Sequence, residues 1–141
     1  MLNVGAAPAS VLDGQAFIAR EQGSGTRAVM VAFLAERHLE PRITMEISSN
    51  ETIKRAVMAG LGISLLSLHT LGLELRSGLL RPLDIEGTPL MRTWHIVHLR
   101  SRVPSPSAEA FRCFIIERGE AHLLAHDEPL LRPGREKAGQ S

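Results

Sequence analysis

The 141 residues are 44% hydrophobic, 22% charged and 4% aromatic, a globular profile that excludes a disordered chain and fits one domain able to bury its own core. Lys and Arg number 16 against 15 Asp and Glu, so the net charge is +1. That balance cannot neutralise a run of phosphates, and nucleic-acid binding by this chain alone is not expected.

Residues 1–14 contain small residues, Pro8 and the turn pair Asp13-Gly14, and read as a loose lead-in that organises no core. The first twelve lack a basic n-region, so no secretory leader is expected. From Gln15 to Arg20 the run QAFIAR reads as a strand; GSGTR at 23–27 breaks it and opens a helix to about His38. Glu40-Pro41 ends that helix, because a residue before proline resists the helical region. Ile43, Met45 and Ile47 alternate with Thr44 and Glu46, giving a second strand. Ser48 and Glu51 have the spacing of a capping box for a second helix with the apolar stripe Ile53, Ala56, Val57 and Leu61, and Gly60 suits its left-handed end.

A short strand is predicted at Ile63–Leu66, a short helix over 68–76, a short strand at Leu83–Ile85 and a clear strand at Thr93–Leu99. Ser105-Pro106 starts a last helix with Ala108, Phe111, Phe114 and Ile115 on one face, ending near Gly119. Residues 120–141 are charged and contain proline, and read as a disordered tail. Trp94 and the Leu-rich segment 61–75 are assigned to the core, as is the lone Cys113, which rules out a disulfide framework and suits a reducing compartment. The apolar stretch Met58 to Leu75 is too interrupted by glycine and polar residues to span a membrane, so the expected setting is the cytoplasm. Strands alternating with helices give a three-layer α/β fold with a largely parallel sheet.

In such a sheet the ligand crevice lies beyond the carboxyl ends of the strands. Two loops stand there. Gly23 to Arg27 offers converging amides, the hydroxyls of Ser24 and Thr26, a helix dipole and the Arg27 cation; Ser48 to Asn50 starts the next helix. Together they suit a small anion without a metal, although capping alone also explains hydroxyls at both places. A rival reading takes Gly23, Gly25 and Ala28 as G-x-G-x-x-A, with Glu46 reaching a ribose hydroxyl of a dinucleotide. Arg20, Glu21 and Gln22 stand against it, where a buried apolar strand end belongs. His95 and His98 fall on opposite strand faces, and His122 with His126 lacks further ligands, so no metal or other cofactor is expected. No G-x-S-x-G elbow is present, and no enzyme chemistry is expected.

FIAREQGSGTR at 17–27, SSNETIKRAVMAGLGISLLSLHTLGLEL at 48–75, PLMRTWHIVH at 89–98 and the final amphipathic helix together resemble the C-terminal half of LysR-type transcriptional regulators. The likeness is nearest to the CbbR-type regulators of carbon-fixation operons. It covers about residues 15 to 118 and is counted as a partial effector-binding domain over 15–119. The resemblance implies a periplasmic-binding-protein-like (type II) fold, mainly its second subdomain, with a small effector held in a cleft between subdomains. By that likeness Ser24, Gly25, Thr26 and Arg27 line the cleft with Ser49 and Asn50 opposite, while Ser67 departs from a proline common among relatives. It also implies a homodimer to which Ile53 to Leu61 contributes a face, DNA contact only through a missing N-terminal helix-turn-helix, and weak effector binding by this half alone.

Overall fold

A computed structural model describes residues 6–131, with side chains through Ala125. They form two compact units, one ending at Leu90 and one beginning at Met91.

The first unit is built around strand β1 (Ala16–Arg20), whose Phe17, Ile18 and Ala19 are buried. β1 pairs in parallel with β2 (Arg42–Ile47), with a register shift between Phe17 and Ile18, and Arg20 stands opposite Ile47. On its other edge, Ile63 N–H donates to Ala16 O at 2.9 Å and Ile18 N–H donates to Ile63 O at 2.8 Å. The expected strand at 63–66 is therefore a single parallel bridge at Ile63.

Helix α1 (Gly25–Glu36) covers one face of this sheet: Met30, Phe33 and Leu34 form a core with Phe17, Ala19 and Ile85. Alternation along a strand sends Ile18 to the opposite face, where helix α2 (Asn50–Met58) runs against β1. Ile18 and Ile53 are fully buried, each contributing about 1.5–3 kcal/mol of apolar burial. β2 differs from expectation. As an edge strand it keeps Ile43 and Met45 partly exposed, and only Ile47 is half-buried.

The lead-in also differs. A 3-10 turn over Ala9–Leu12 puts Ala9 and Leu12 into the core, and Ala7 bridges Ile85 through Ala7 N–H to Asp84 O and Glu86 N–H to Ala7 O, both 2.8 Å. Small residues can enter a core where the bulk is supplied by Phe17 and Phe33, and a hydropathy pattern does not register that.

Residues 68–76 are helical as expected, as a 3-10 turn (Leu68–Thr70) and helix α3 (Gly72–Arg76). The surprise is polar: Lys54 of α2 and Glu74 of α3 are both buried. Lys54 Nζ donates to Glu51 Oε1 at 2.6 Å, Glu74 Oε1 at 2.8 Å and Thr70 O at 3.1 Å, so all three ammonium protons are used. Glu74 Oε2 is buried with no hydrogen-bond partner among the described residues, which offsets part of the gain. Of the apolar residues of the Leu-rich segment only Leu75 is buried, with Ile63 and Leu65 packed on the core; Leu61 and Leu73 are exposed.

In the second unit, residues 93–99 form no strand and are exposed, Trp94 among them at 69%. A strand exists only through a neighbouring backbone, and no described segment offers one to these residues. Arg92 lies over the Trp94 ring, 5.7 Å from its centroid. Helix α4 (Pro106–Phe114) starts as predicted, Ser105 Oγ accepting from Ala108 N–H with Pro106 in the first turn. Phe111 and Phe114 are exposed, and so is Cys113, which faces no core layer among the described residues. Beyond α4 a π-helical turn (Ile115–Gly119) continues into helix α5 (Glu120–Leu131), so the backbone from Glu120 is helical where a tail was expected. Residues 132–141 lie outside the described residues, as do residues 1–5.

Two outcomes are expected. A Cβ at Gly62 would lie 2.5 Å from Ala16 O, and the φ of 157° is rarely adopted by residues with side chains. Gly62→Ala should therefore cost roughly 2 kcal/mol or more in denaturant unfolding, and a change below about 0.5 kcal/mol would contradict the close approach. The second concerns pH. Hydrogen bonds donated to Glu51 and then to Glu74 hold Lys54 above its ordinary 10.5, and Lys54 holds Glu74 below its ordinary 4.5. A lowered acid stabilises the fold above its ordinary value and loses that contribution as pH falls through the lowered one; the raised lysine loses its own only as pH rises past 10.5. Glu74→Gln should thus lower the melting temperature at neutral pH, with the gap to wild type closing below pH 4.5. A gap that is the same in acid would mean that the charge pair contributes nothing.

Candidate functional site

The parallel register brings the exits of β1 and β2 side by side, so residues 21–27 and 48–50 leave the same end of the sheet. In the first loop Gly23 has φ 86°, a turn that favours glycine, and Ser24 caps α1 in an extended conformation. The Ser24 hydroxyl makes no capping bond, unlike most serines in that position. The first helical bond is Ala28 N–H to Ser24 O at 3.0 Å, so the amides of Gly25, Thr26 and Arg27 precede the helical ladder and carry its positive dipole end.

In the second loop the cap falls one residue later than the spacing suggested. Ser49 Oγ accepts from Thr52 N–H at 3.3 Å, which commits that hydroxyl to α2. Asn50 Oδ1 accepts from Arg20 Nη1 at 2.6 Å.

Arg20 went unnoticed as a site residue, and it connects the two loops. Its Nε and Nη2 donate to Glu21 Oε2 and Oε1 at 2.8 and 3.0 Å, its Nη1 holds Asn50, and its carbonyl accepts from Arg27 Nη1 at 3.0 Å. The bonds to Glu21 hold the Arg20 guanidinium above its usual range and Glu21 below the usual carboxylate range. A cation at the last position of a buried strand, directly before a glycine loop, was the available signal.

Arg27 is only 18% exposed and lies 3.6 Å from Glu46 Oε2, while Gln22 N–H donates to Glu46 Oε1 at 3.4 Å. The glutamate offered to a ribose in the dinucleotide reading is thus turned onto the loop's own donors. A shallow depression of about 570 Å³ is lined by Gln22, Gly23, Ser24, Gly25 and Arg27, with Ala28, Val31 and Ala32 as its apolar side. Ser24, Gly25 and Arg27 therefore meet in one place. Thr26 is outside that lining, as are Ser49 and Asn50; Asn50 is linked to it through Arg20, and the Ser49 hydroxyl is bonded to the Thr52 amide.

Comparison with known proteins agrees with this architecture. Residues 5–120 match the model of the LysR substrate binding domain. The HTH-type transcriptional regulator CfxR of Cupriavidus necator is 48% identical over 124 residues, 88% of this chain and 39% of that protein. CbbR of Rhodospirillum rubrum is 48% identical over 104 residues, 74% of this chain and 35% of its own, and the activator CmpR of Synechocystis is 45% identical over 114, covering 81% and 38%. The chain thus spans between a third and two fifths of the length of these relatives. Among solved structures, the CcmR regulatory domain of Synechocystis, in complex with 2-PG, superposes with a TM-score of 0.74 at 35% identity, covering 82% of this chain and 55% of that one. The α/β architecture is that of the type II periplasmic-binding-protein-like fold, mainly its second subdomain. By sequence and by fold, the chain belongs to the LysR substrate-binding domain family.

Proposed function

We propose that this chain is the effector-sensing module of a LysR-type transcriptional regulator, working by binding a small anionic metabolite and not by catalysis. The observation that carries the reading is the convergence of two helix-opening loops at one end of a parallel sheet, tied together by Arg20. Ser24, Gly25, Thr26 and Arg27 supply amides, hydroxyls and a cation on one side, and Ser49 and Asn50 form the other. Support comes from the CcmR regulatory domain, a relative of the same fold solved with 2-phosphoglycolate. In this reading, residues 15–119 are one part of an effector-binding domain, and the longer regulator contacts DNA through a helix-turn-helix elsewhere in its chain.

The protein works in the cytoplasm as a homodimer in this reading. No helix among the described residues is long and apolar enough to cross a membrane. Of the α2 stripe, Ile53 is buried within the chain, so Met58 and Leu61 are the residues with exposed apolar area to offer a second copy.

Calorimetric titration with 2-phosphoglycolate tests the site. Thr26→Val removes a hydroxyl and Arg27→Ala a cation, and each should weaken binding by roughly 1–3 kcal/mol, the scale of a charge-assisted hydrogen bond. Circular dichroism should show both variants folded. If both bind as wild type does, the effector does not sit at this loop.

A further inference from the structure

Beside the two loops stand acceptor oxygens that would oppose a bound anion: both carboxylate oxygens of Glu21, Asn50 Oδ1 and the carbonyl of Arg20. Each is already held by an arginine. Arg20 Nε and Nη2 donate to Glu21 Oε2 and Oε1 at 2.8 and 3.0 Å, Arg20 Nη1 donates to Asn50 Oδ1 at 2.6 Å, and Arg27 Nη1 donates to the Arg20 carbonyl at 3.0 Å. The Arg20 side chain is only 18% exposed and is not part of the lining of the depression, so it acts there through its neighbours. An arginine has donors and no acceptor, and the Asn50 amide can therefore face it only with its oxygen, which turns the two N–H donors of that amide the other way. Among the described residues nothing accepts from those donors. Glu21 directly precedes Gln22 and Gly23, both of which line the depression. Released from Arg20, its carboxylate would be free to take the loop's own donors.

Resting on the effector site described above, we propose that Arg20 is the positioning residue of that site: it ties up the acceptors of Glu21 and Asn50, so that the two loops present donors to a bound anion. The planar fork matters as well as the charge. One guanidinium holds oxygens of two residues on two elements at once, and an ammonium on a flexible stem does not reproduce that geometry. Arg20 thereby sets the affinity for anions as a class, while Arg27 supplies the cation that meets them.

The test is amide NMR of the whole chain titrated with 2-phosphoglycolate at constant ionic strength, for wild type, Arg20→Lys, Arg20→Gln, Glu21→Gln, the double variant of Arg20→Gln with Glu21→Gln, and Arg27→Ala. Arg20→Lys keeps the charge and loses the fork, and should bind roughly ten-fold more weakly, the equivalent of about one hydrogen bond. Arg20→Gln should lose at least as much. Glu21→Gln should raise affinity about three-fold more in the Arg20→Gln background than in wild type, because only there is the carboxylate released, and damage to the fold would give no such rescue. Should Arg20→Gln fail to fold, the Arg20→Lys result decides. Binding by Arg20→Lys equal to wild type, or equal gains from Glu21→Gln in both backgrounds, overturns the positioning role and, with Arg27→Ala weakened, leaves the site standing. Binding unaffected by Arg27→Ala, or none by wild type, removes the site and the role of Arg20 with it.

Discussion

The backbone of β1 is bonded along both edges, to β2 on one side and to Ile63 on the other, while Phe17, Ile18 and Ala19 fill the space above and below it. Ser64 Oγ adds a bond to Ile18 O at 2.7 Å and Thr44 Oγ1 one to Phe17 O at 3.3 Å, so side chains from both neighbours converge on the same three residues. A buried strand must have its amides and carbonyls paired, and here that requirement fixes the position of every neighbouring segment. The return from α2 must pass close enough for Ile63 to bond, which leaves no room for a side chain at Gly62. Parallel pairing then forces β1 and β2 to end together, and the two loops at that end become neighbours whatever their sequences are.

How much of this was legible in the sequence depends on whether a signal was local. The start of α1 was, because two glycines and a run of apolar residues at helical spacing announce it; its end at Glu36 comes two residues before the expected His38, which has φ 54°. β2 was legible as a strand but not as an edge, since alternation marks the period and says nothing about what lies against either face. Thr93 to Leu99 shows the same limit more sharply: the pattern is a strand's, and without a neighbouring backbone among the described residues the segment forms no strand and stays exposed. Lys54 and Glu74 lie 20 positions apart in the chain, and each reads as a solvated charge until folding brings them to 2.8 Å.

The site was legible in its composition and not in its wiring. Ser24, Gly25 and Arg27 line one depression at the start of α1, where two glycines are followed by a cation. The family resemblance places Ser49 opposite the first loop, and its hydroxyl is occupied by the Thr52 amide. Asn50 was chosen as a wall residue, and its carbonyl oxygen is held by Arg20. The spacing of residues within a loop identifies candidates, but which of their polar atoms are already bonded depends on Arg20, thirty positions from Asn50 and on another element.

These constraints divide the charges around the loop into two kinds. Arg20 makes four contacts if its carbonyl is counted, two of them a planar fork on Glu21, a geometry that a lysine ammonium cannot reproduce. It behaves as a fixed part of the frame. α2 is held at both ends of its first turn and a half, by Arg20 at Asn50 and by the Lys54 bonds to Glu74 and Thr70, so the start of that helix is anchored to β1 and to α3. Arg27 and Glu46 are bonded more loosely, at 3.6 Å, on the side where the depression opens. The frame is thus closely bonded on the α2 side and more loosely bonded on the α1 side, beside the depression. Arg27 and Glu46 connect the loop to the edge strand β2, which is the more exposed strand of the sheet.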